Sequence, residues 1–127
     1  MKRIDHVGVA VHDLAEGRRI WDALLGQEPE LEEIPAQGVT AASYPCGVEL
    51  VAPTAPKSPI AKFLEKRGGG IHHVTIEVAD LEAQLRRLKA QGTRLINETP
   101  VPGVGGCKVA FLHPSAAAGV LVELKEK

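Results

Sequence analysis

The sequence predicts an α+β chain made of two copies of one β-α-β-β-β module. Three observations carry this. Ile4 to Leu14 returns as Ile71 to Leu81, at an offset of 67 residues, with six of eleven positions identical. Each copy opens on alternating apolar residues and runs into an Asp before a leucine, the pattern of a strand leading into a capped helix. Each half also closes on an apolar-flanked carboxylate, Val48-Glu49-Leu50 and Val122-Glu123-Leu124.

The elements follow in order. Residues 3–11 alternate and are rich in Val and Ile, which suits a strand. Asp13 stands at a helix N-cap, and Leu14, Ile20, Trp21, Leu24 and Leu25 give an apolar face ending at Gly26. Strands are expected at 28–34 and 39–45, separated by Pro35 and Gly38, and at 48–51, where Pro53 stops the run. Ser58 caps a linker helix with Pro59 in its first turn, and Gly68-Gly69-Gly70 ends it. The second half repeats the order. A strand at 71–78 leads to the Asp80 cap, and Leu81, Leu85 and Leu88 mark a helix face that Gly92 closes. Strands near 93–97, 107–112 and 119–125 complete the module. The expected organisation is a single domain over 1–127: module 1 at about 1–53, a linker helix at about 54–69 and module 2 at about 70–127.

Composition narrows the function. A formal charge of −1, no basic run beyond pairs such as Arg18-Arg19, and 3% aromatic residues leave no footprint for nucleic acid. No apolar stretch reaches the length of a membrane span, and the N-terminus enters a strand pattern directly, so neither a membrane segment nor a signal peptide is expected. Cys46 and Cys107 have no metal-finger spacing and are expected to be small, buried, reduced residues of a cytoplasmic protein.

The chemistry lies in the repeat. His6 and His73 occupy the same position of the same strand, and alternation of side chains sends both to the same face of their modules. His72 matches Asp5 and falls on the opposite face, so parity selects His73 as the partner of His6. Glu49 and Glu123 sit between apolar neighbours on strands, where a carboxylate is costly unless it is paired or bound to a cation. Two imidazoles and two carboxylates suit a borderline divalent ion such as Zn, Co, Ni, Mn or Fe. The alternative is that the four are separate residues, each paired with a nearby Lys or Arg; their duplication in register favours the metal.

Several segments together carry a family resemblance. They are Ile4-Asp5-His6-Val7-Gly8-Val9-Ala10-Val11, Gln37-Gly38-Val39 and Val48-Glu49-Leu50-Val51-Ala52-Pro53. They continue through Ser58-Pro59-Ile60-Ala61-Lys62-Phe63-Leu64, Gly70-Ile71-His72-His73-Val74, Phe111-Leu112-His113-Pro114 and Gly119-Val120-Leu121-Val122-Glu123-Leu124. On these the chain resembles the methylmalonyl-CoA epimerases of the vicinal oxygen chelate superfamily, and the resemblance has consequences for fold and chemistry. It implies a curved mixed sheet of two paired modules around a divalent metal (Co, Mn, Ni or Zn) held by His6, Glu49, His73 and Glu123. It implies 1,1-proton transfer at C2 of methylmalonyl-CoA, through an enediolate whose charge the metal spreads. An acyl-CoA substrate, a homodimer and a cytoplasmic place in propionate metabolism are further implications.

One position departs from the family. Some members carry Gln where this chain has Glu49, together with a Glu where this chain has Ala41, which transfers no proton. Glu49 is therefore expected to share in catalysis, as a ligand that loosens from the metal and acts as base, with Glu123 serving the opposite face. Rival readings are a glyoxalase-type isomerase, a ring-cleaving dioxygenase, a thiol transferase acting on an epoxide, or a non-catalytic small-molecule binding protein of the same fold. A fourth ligand argues against ring cleavage, which needs two His and one Glu around open iron. The full ligand set argues against a mere binding protein. His113, before Pro114, is expected to be structural rather than site-lining. The Gly103–Gly106 stretch is either a mobile loop at the substrate mouth or a plain hairpin connection. Lys62, Lys66 and Arg67 form a basic cluster, read as a solvated helix face in preference to a coenzyme A contact.

Overall fold

The computed structural model describes residues 3–127. They fall into two compact units: Val7–His72, and a second made of the residues up to His6 together with His73–Lys127. The strands are β1 (Arg3–Ala10), β2 (Glu30–Ile34), β3 (Val39–Ser43), β4 (Val48–Pro53), β5 (Gly70–Val78), β6 (Val101–Pro102), β7 (Lys108–Leu112) and β8 (Val122–Glu126). The α-helices are α1 (Leu14–Leu25), α2 (Pro59–Arg67) and α3 (Leu81–Ala90).

In Val7–His72 the strands are ordered β2-β3-β4-β1, with β2/β3 and β3/β4 antiparallel and β4/β1 parallel. The second unit repeats this as β6-β7-β8-β5, with β6/β7 and β7/β8 antiparallel and β8/β5 parallel. The duplication read from sequence is therefore a duplication of strand pairing. A parallel return needs a crossover, and α1 and α3 each follow directly on the first strand of their copy.

The capping residues act as expected. The carboxylates of Asp13 and Asp80 accept from the amides of Glu16 and Ala83, and the Ser58 hydroxyl accepts from Ala61. Each such cap stabilises its helix by about 1 kcal/mol. Gly26 ends α1 at φ 64°, a left-handed conformation that a β-carbon would strain.

Each unit has its own apolar cluster. In Val7–His72, Leu14, Trp21 and Leu25 of α1 pack on Val9, Ala42, Tyr44 and Leu50. Gly17 lets α1 approach closely, since a β-carbon there would lie 3.1 Å from the Val11 side chain. In the second unit, Leu81, Leu85 and Leu88 of α3 cover Val78, Ala110, Leu112, Val122 and Leu124. Burying each such leucine contributes roughly 1.5–3 kcal/mol.

Four expectations change. Ile20 and Leu24 are not on the packed face of α1; they are 52% and 68% exposed. The helix buries the stripe containing Leu14, Trp21 and Leu25, and the other two flank it. Residues 93–97 form no strand but a single bridge, Leu95 to Leu112. There the Asn97 side chain accepts the Phe111 amide, while the amides of Ile96 and Asn97 both converge on the Phe111 carbonyl. The last strand begins at Val122 and not at 119, because Ala118 and Gly119 turn the chain with φ of 55° and 97°. Cys46 is exposed in the turn between β3 and β4 and Cys107 is half-buried, both as free thiols, so neither is the buried residue expected. The glycines at 103–106 form the turn between β6 and β7, a hairpin connection.

Candidate functional site

The site grows from the two faces of β5 and β8. On β5, Ile76 and Val78 join the cluster under α3, while His73, Thr75 and Glu77 alternate with them and are buried on the other side. On β8, Val122 and Leu124 belong to the same cluster, so Glu123 and Lys125 point the opposite way. Parallel pairing sets Glu123 beside Thr75 and Lys125 beside Glu77. A polar row is thus forced onto the face of the strand pair opposite the α3 cluster.

His6, on the part of β1 belonging to this unit, brings its ring to that row. The Nε2 atoms of His6 and His73 are 3.4 Å apart. Glu123 Oε1 lies 3.7 Å from His6 Nε2 and 3.5 Å from His73 Nε2. All three side chains are nearly excluded from solvent, and the two rings meet edge to face at 84°. Phe111 of β7 stands edge-on to the His73 ring, with centroids 6.0 Å apart, and helps hold it.

These three form a group able to hold a metal ion. The spacing supports it: donors bonded tetrahedrally at about 2.1 Å stand about 3.4 Å from one another, close to the observed separations. The donor set also fits, with two neutral-capable imidazoles and one anionic oxygen in a buried pocket of side chains.

Three neighbours tune the group. The Thr75 hydroxyl, fully buried, donates to Glu123 Oε1 at 2.6 Å and lies 3.0 Å from His6 Nε2. Asp5 Oδ2 is 2.8 Å from His6 Nδ1, on the far side of the ring from the metal-ligating edge. Lys125 reaches the same Asp5 oxygen at 3.3 Å, and Lys127 reaches the other at 3.6 Å. Burial alone would raise the Asp5 carboxyl, but the hydrogen bond from His6 and the Lys125 ammonium together outweigh it and hold the group below its ordinary value. Further along the row, Arg3 pairs with the buried Glu77 at 3.1 Å.

The profile of the Glyoxalase/Bleomycin resistance protein/Dioxygenase superfamily matches residues 5–111. The mitochondrial methylmalonyl-CoA epimerase of Bos taurus is 41% identical over 129 residues, covering 98% of this chain and 74% of the relative. The ethylmalonyl-CoA/methylmalonyl-CoA epimerase of Cereibacter sphaeroides is 40% identical over 130 residues, covering 98% of this chain and 97% of the relative. A variant of the Streptomyces coelicolor methylmalonyl-CoA epimerase, solved in complex with 2-nitronate-propionyl-CoA, superposes with TM-score 0.94 at 34% identity, covering 100% of this chain and 98% of that one. The chain belongs to the methylmalonyl-CoA epimerase family of this superfamily.

The fold class expected from sequence, two paired βαβββ modules of the vicinal oxygen chelate type, is the fold of that family. Of the four expected ligands, His6, His73 and Glu123 come together within one unit. Glu49 lies in the other unit, buried on β4. Its register in that unit mirrors Glu123. Glu49 pairs with Gly8, two residues after His6, as Glu123 pairs with Thr75, two residues after His73. The two copies therefore offer their carboxylates from the same place, but the parallel neighbour is Thr75 in one copy and Gly8 in the other, while the antiparallel neighbour is Phe111 beside Glu123 and Ser43 beside Glu49. Ala41, on β3, is fully buried and has no ionisable group.

His72 stays off the metal group, as parity required. Its ring meets Phe63 of α2 edge to face, 4.8 Å between centroids, and burial depresses its pKa to about 4. Arg67 lies 6.0 Å from the centre of the same Phe63 ring. His113 Nδ1 accepts the Ser115 amide at 3.0 Å and caps the turn after β7. Sequence reasoning missed Thr75 and Asp5. Thr75 was legible from parity, being two residues beyond His73. Asp5 was set aside by the same parity rule, because neighbours on a strand leave by opposite faces; here its carboxylate touches the back of the imidazole instead.

Proposed function

We propose that this chain is a metal-dependent methylmalonyl-CoA epimerase, interconverting the (2R) and (2S) epimers by 1,1-proton transfer at C2. The observation that carries the reading is the buried group of His6, His73 and Glu123, with donor atoms spaced for one cation. Membership of a family whose relatives bear that name supports the substrate.

His6, His73 and Glu123 would hold the ion, with Glu49 as the fourth ligand by its equivalent register. Co, Mn, Ni and Zn all suit these donors. Bound there, a divalent cation supplies Lewis-acid stabilisation of the negative charge that develops when the C2 proton leaves. The remaining work falls to the chain. Inversion at C2 needs one group to remove the proton from one face of the planar carbon and another to return it on the opposite face. Glu49 and Glu123 take these roles in the proposal. Thr75 holds Glu123 in place through its hydroxyl, and the buried surroundings of both carboxylates exclude competing water. No step is assigned to position 41.

The reading includes a homodimer, supported by apolar side chains left exposed at Leu24, Leu31 and Ile71. Among the described residues no helix is long and apolar enough to cross a membrane. A cytoplasmic place in propionate metabolism is part of the same reading, supported by the two free thiols. The mitochondrial relatives make the organelle the rival compartment. The test is conversion of a single epimer of methylmalonyl-CoA by the purified protein supplied with Co, Mn, Ni or Zn. Appearance of the other epimer supports the reading, and no conversion with any of the four overturns it.

A further inference from the structure

Metal-binding imidazoles need a defined tautomer, because only an unprotonated nitrogen donates its lone pair to a cation. His6 faces two environments. Its Nε2 edge meets His73, Thr75 and Glu123, and its Nδ1 meets Asp5 Oδ2 at 2.8 Å. An ionised carboxylate only accepts hydrogen bonds, so the contact at Nδ1 requires a proton on that nitrogen. In the neutral ring Nε2 is then the unprotonated nitrogen, and it faces His73, Thr75 and Glu123. The Thr75 hydroxyl does not compete for it, since its one proton goes to Glu123 Oε1 at the shorter distance of 2.6 Å.

Asp5 is itself held. Lys125 contacts Oδ2 and Lys127 contacts Oδ1, at 3.3 and 3.6 Å, and the carboxylate is only 12% exposed. Lys125 stands two residues after Glu123 and therefore leaves β8 on the same face. One strand thus presents a ligand directly and anchors, through a neighbouring side chain, the group that orients a second ligand.

We propose that Asp5 is a positioning residue: it fixes His6 as the Nδ1–H tautomer so that Nε2 is presented to the cation, with Lys125 and Lys127 as its electrostatic anchors. This rests on the metal reading given above. Partners of this kind behind a ligating histidine typically change metal affinity by about 10–100-fold.

The experiment has two arms. In metal-free protein, 15N NMR of the histidine side chains reads the tautomer of His6. The expected result is Nδ1–H in the wild type, shifting toward Nε2–H in Asp5→Ala. Co(II) titration, followed by visible absorption, is expected to show affinity about 10–100-fold weaker in Asp5→Ala than in wild type. An Nε2–H tautomer in the wild type overturns the proposal without recourse to any variant. Unchanged tautomer or unchanged Co(II) affinity in folded Asp5→Ala overturns it as well. A wild type that binds no Co(II) defeats the metal reading instead, and the tautomer comparison then decides the role of Asp5 alone.

Discussion

Replacing Thr75 by valine isolates one hydroxyl in the middle of the donor group. Valine keeps nearly the same shape, so the change removes a donor without opening a cavity. Thr75 Oγ1 donates to Glu123 Oε1 at 2.6 Å, and Thr75 has no solvent exposure from which water could substitute. A hydrogen bond to a charged acceptor contributes about 1.5–3 kcal/mol, and its loss removes the nearest donor from a buried carboxylate oxygen. For a chain of this length each kcal/mol moves the midpoint by roughly 4 °C, so Thr75→Val should unfold about 6–12 °C below wild type. The assay is thermal unfolding by circular dichroism after treatment with chelator, since bound metal would add its own stabilisation. Thr75→Ser keeps the hydroxyl and loses one methyl, about 1 kcal/mol, and should fall much less. A valine variant within roughly 2 °C of wild type would refute the reasoning. So would a serine variant that falls as far as valine, since packing and not the hydrogen bond would then be responsible.

Other consequences follow from the same structure. Glu49→Gln should bind metal and fold normally yet lose most of its epimerase turnover; full turnover would remove Glu49 from proton transfer, and loss of metal from a folded variant would leave it as a ligand alone. Leu50→Ala, fully buried against α1 and β3, should destabilise by about 2–5 kcal/mol, whereas Ile20→Ala, half-exposed on α1, should stay within about 0.5 kcal/mol; denaturant titration compares them. Burial and the hydrogen bond to Asp22 push the Tyr44 hydroxyl up to about 12. The folded state therefore keeps a proton that the unfolded chain releases near the ordinary tyrosine value, and stability should decline as pH rises from about 10 toward 12. Tyr44→Phe, followed by unfolding across that range, should abolish the decline.

The repeat was legible because both the strand pairing and the ligand positions are duplicated, and either alone would be weaker evidence. His6, His73 and Glu123 could be found by counting, since alternation along β1, β5 and β8 puts them on polar faces. Caps at Asp13, Ser58 and Asp80 were equally readable, because a short polar side chain before an apolar period has one favoured use. What counting could not supply was contact across strands. The asymmetry of Thr75 and Gly8 behind the two glutamates depends on register, which is set by pairing between distant segments. The salt bridge from Asp5 to Lys125, 120 positions away, has no local trace at all. Residues 93–97 failed as a strand for a related reason. Their apolar pattern is adequate, but the Asn97 side chain takes a bond that a ladder would have used.

In the proposed function, a cation held by His6, His73 and Glu123 enables proton exchange at C2 of methylmalonyl-CoA. Deuterium incorporation measures this directly. Wild type and His73→Ala, each supplied with Co(II) in deuterium oxide, are compared by the mass of recovered substrate and product. One deuterium at C2 is expected with the wild type and no enzymatic incorporation with the folded variant. Undiminished incorporation by His73→Ala, or none by the wild type, would contradict it.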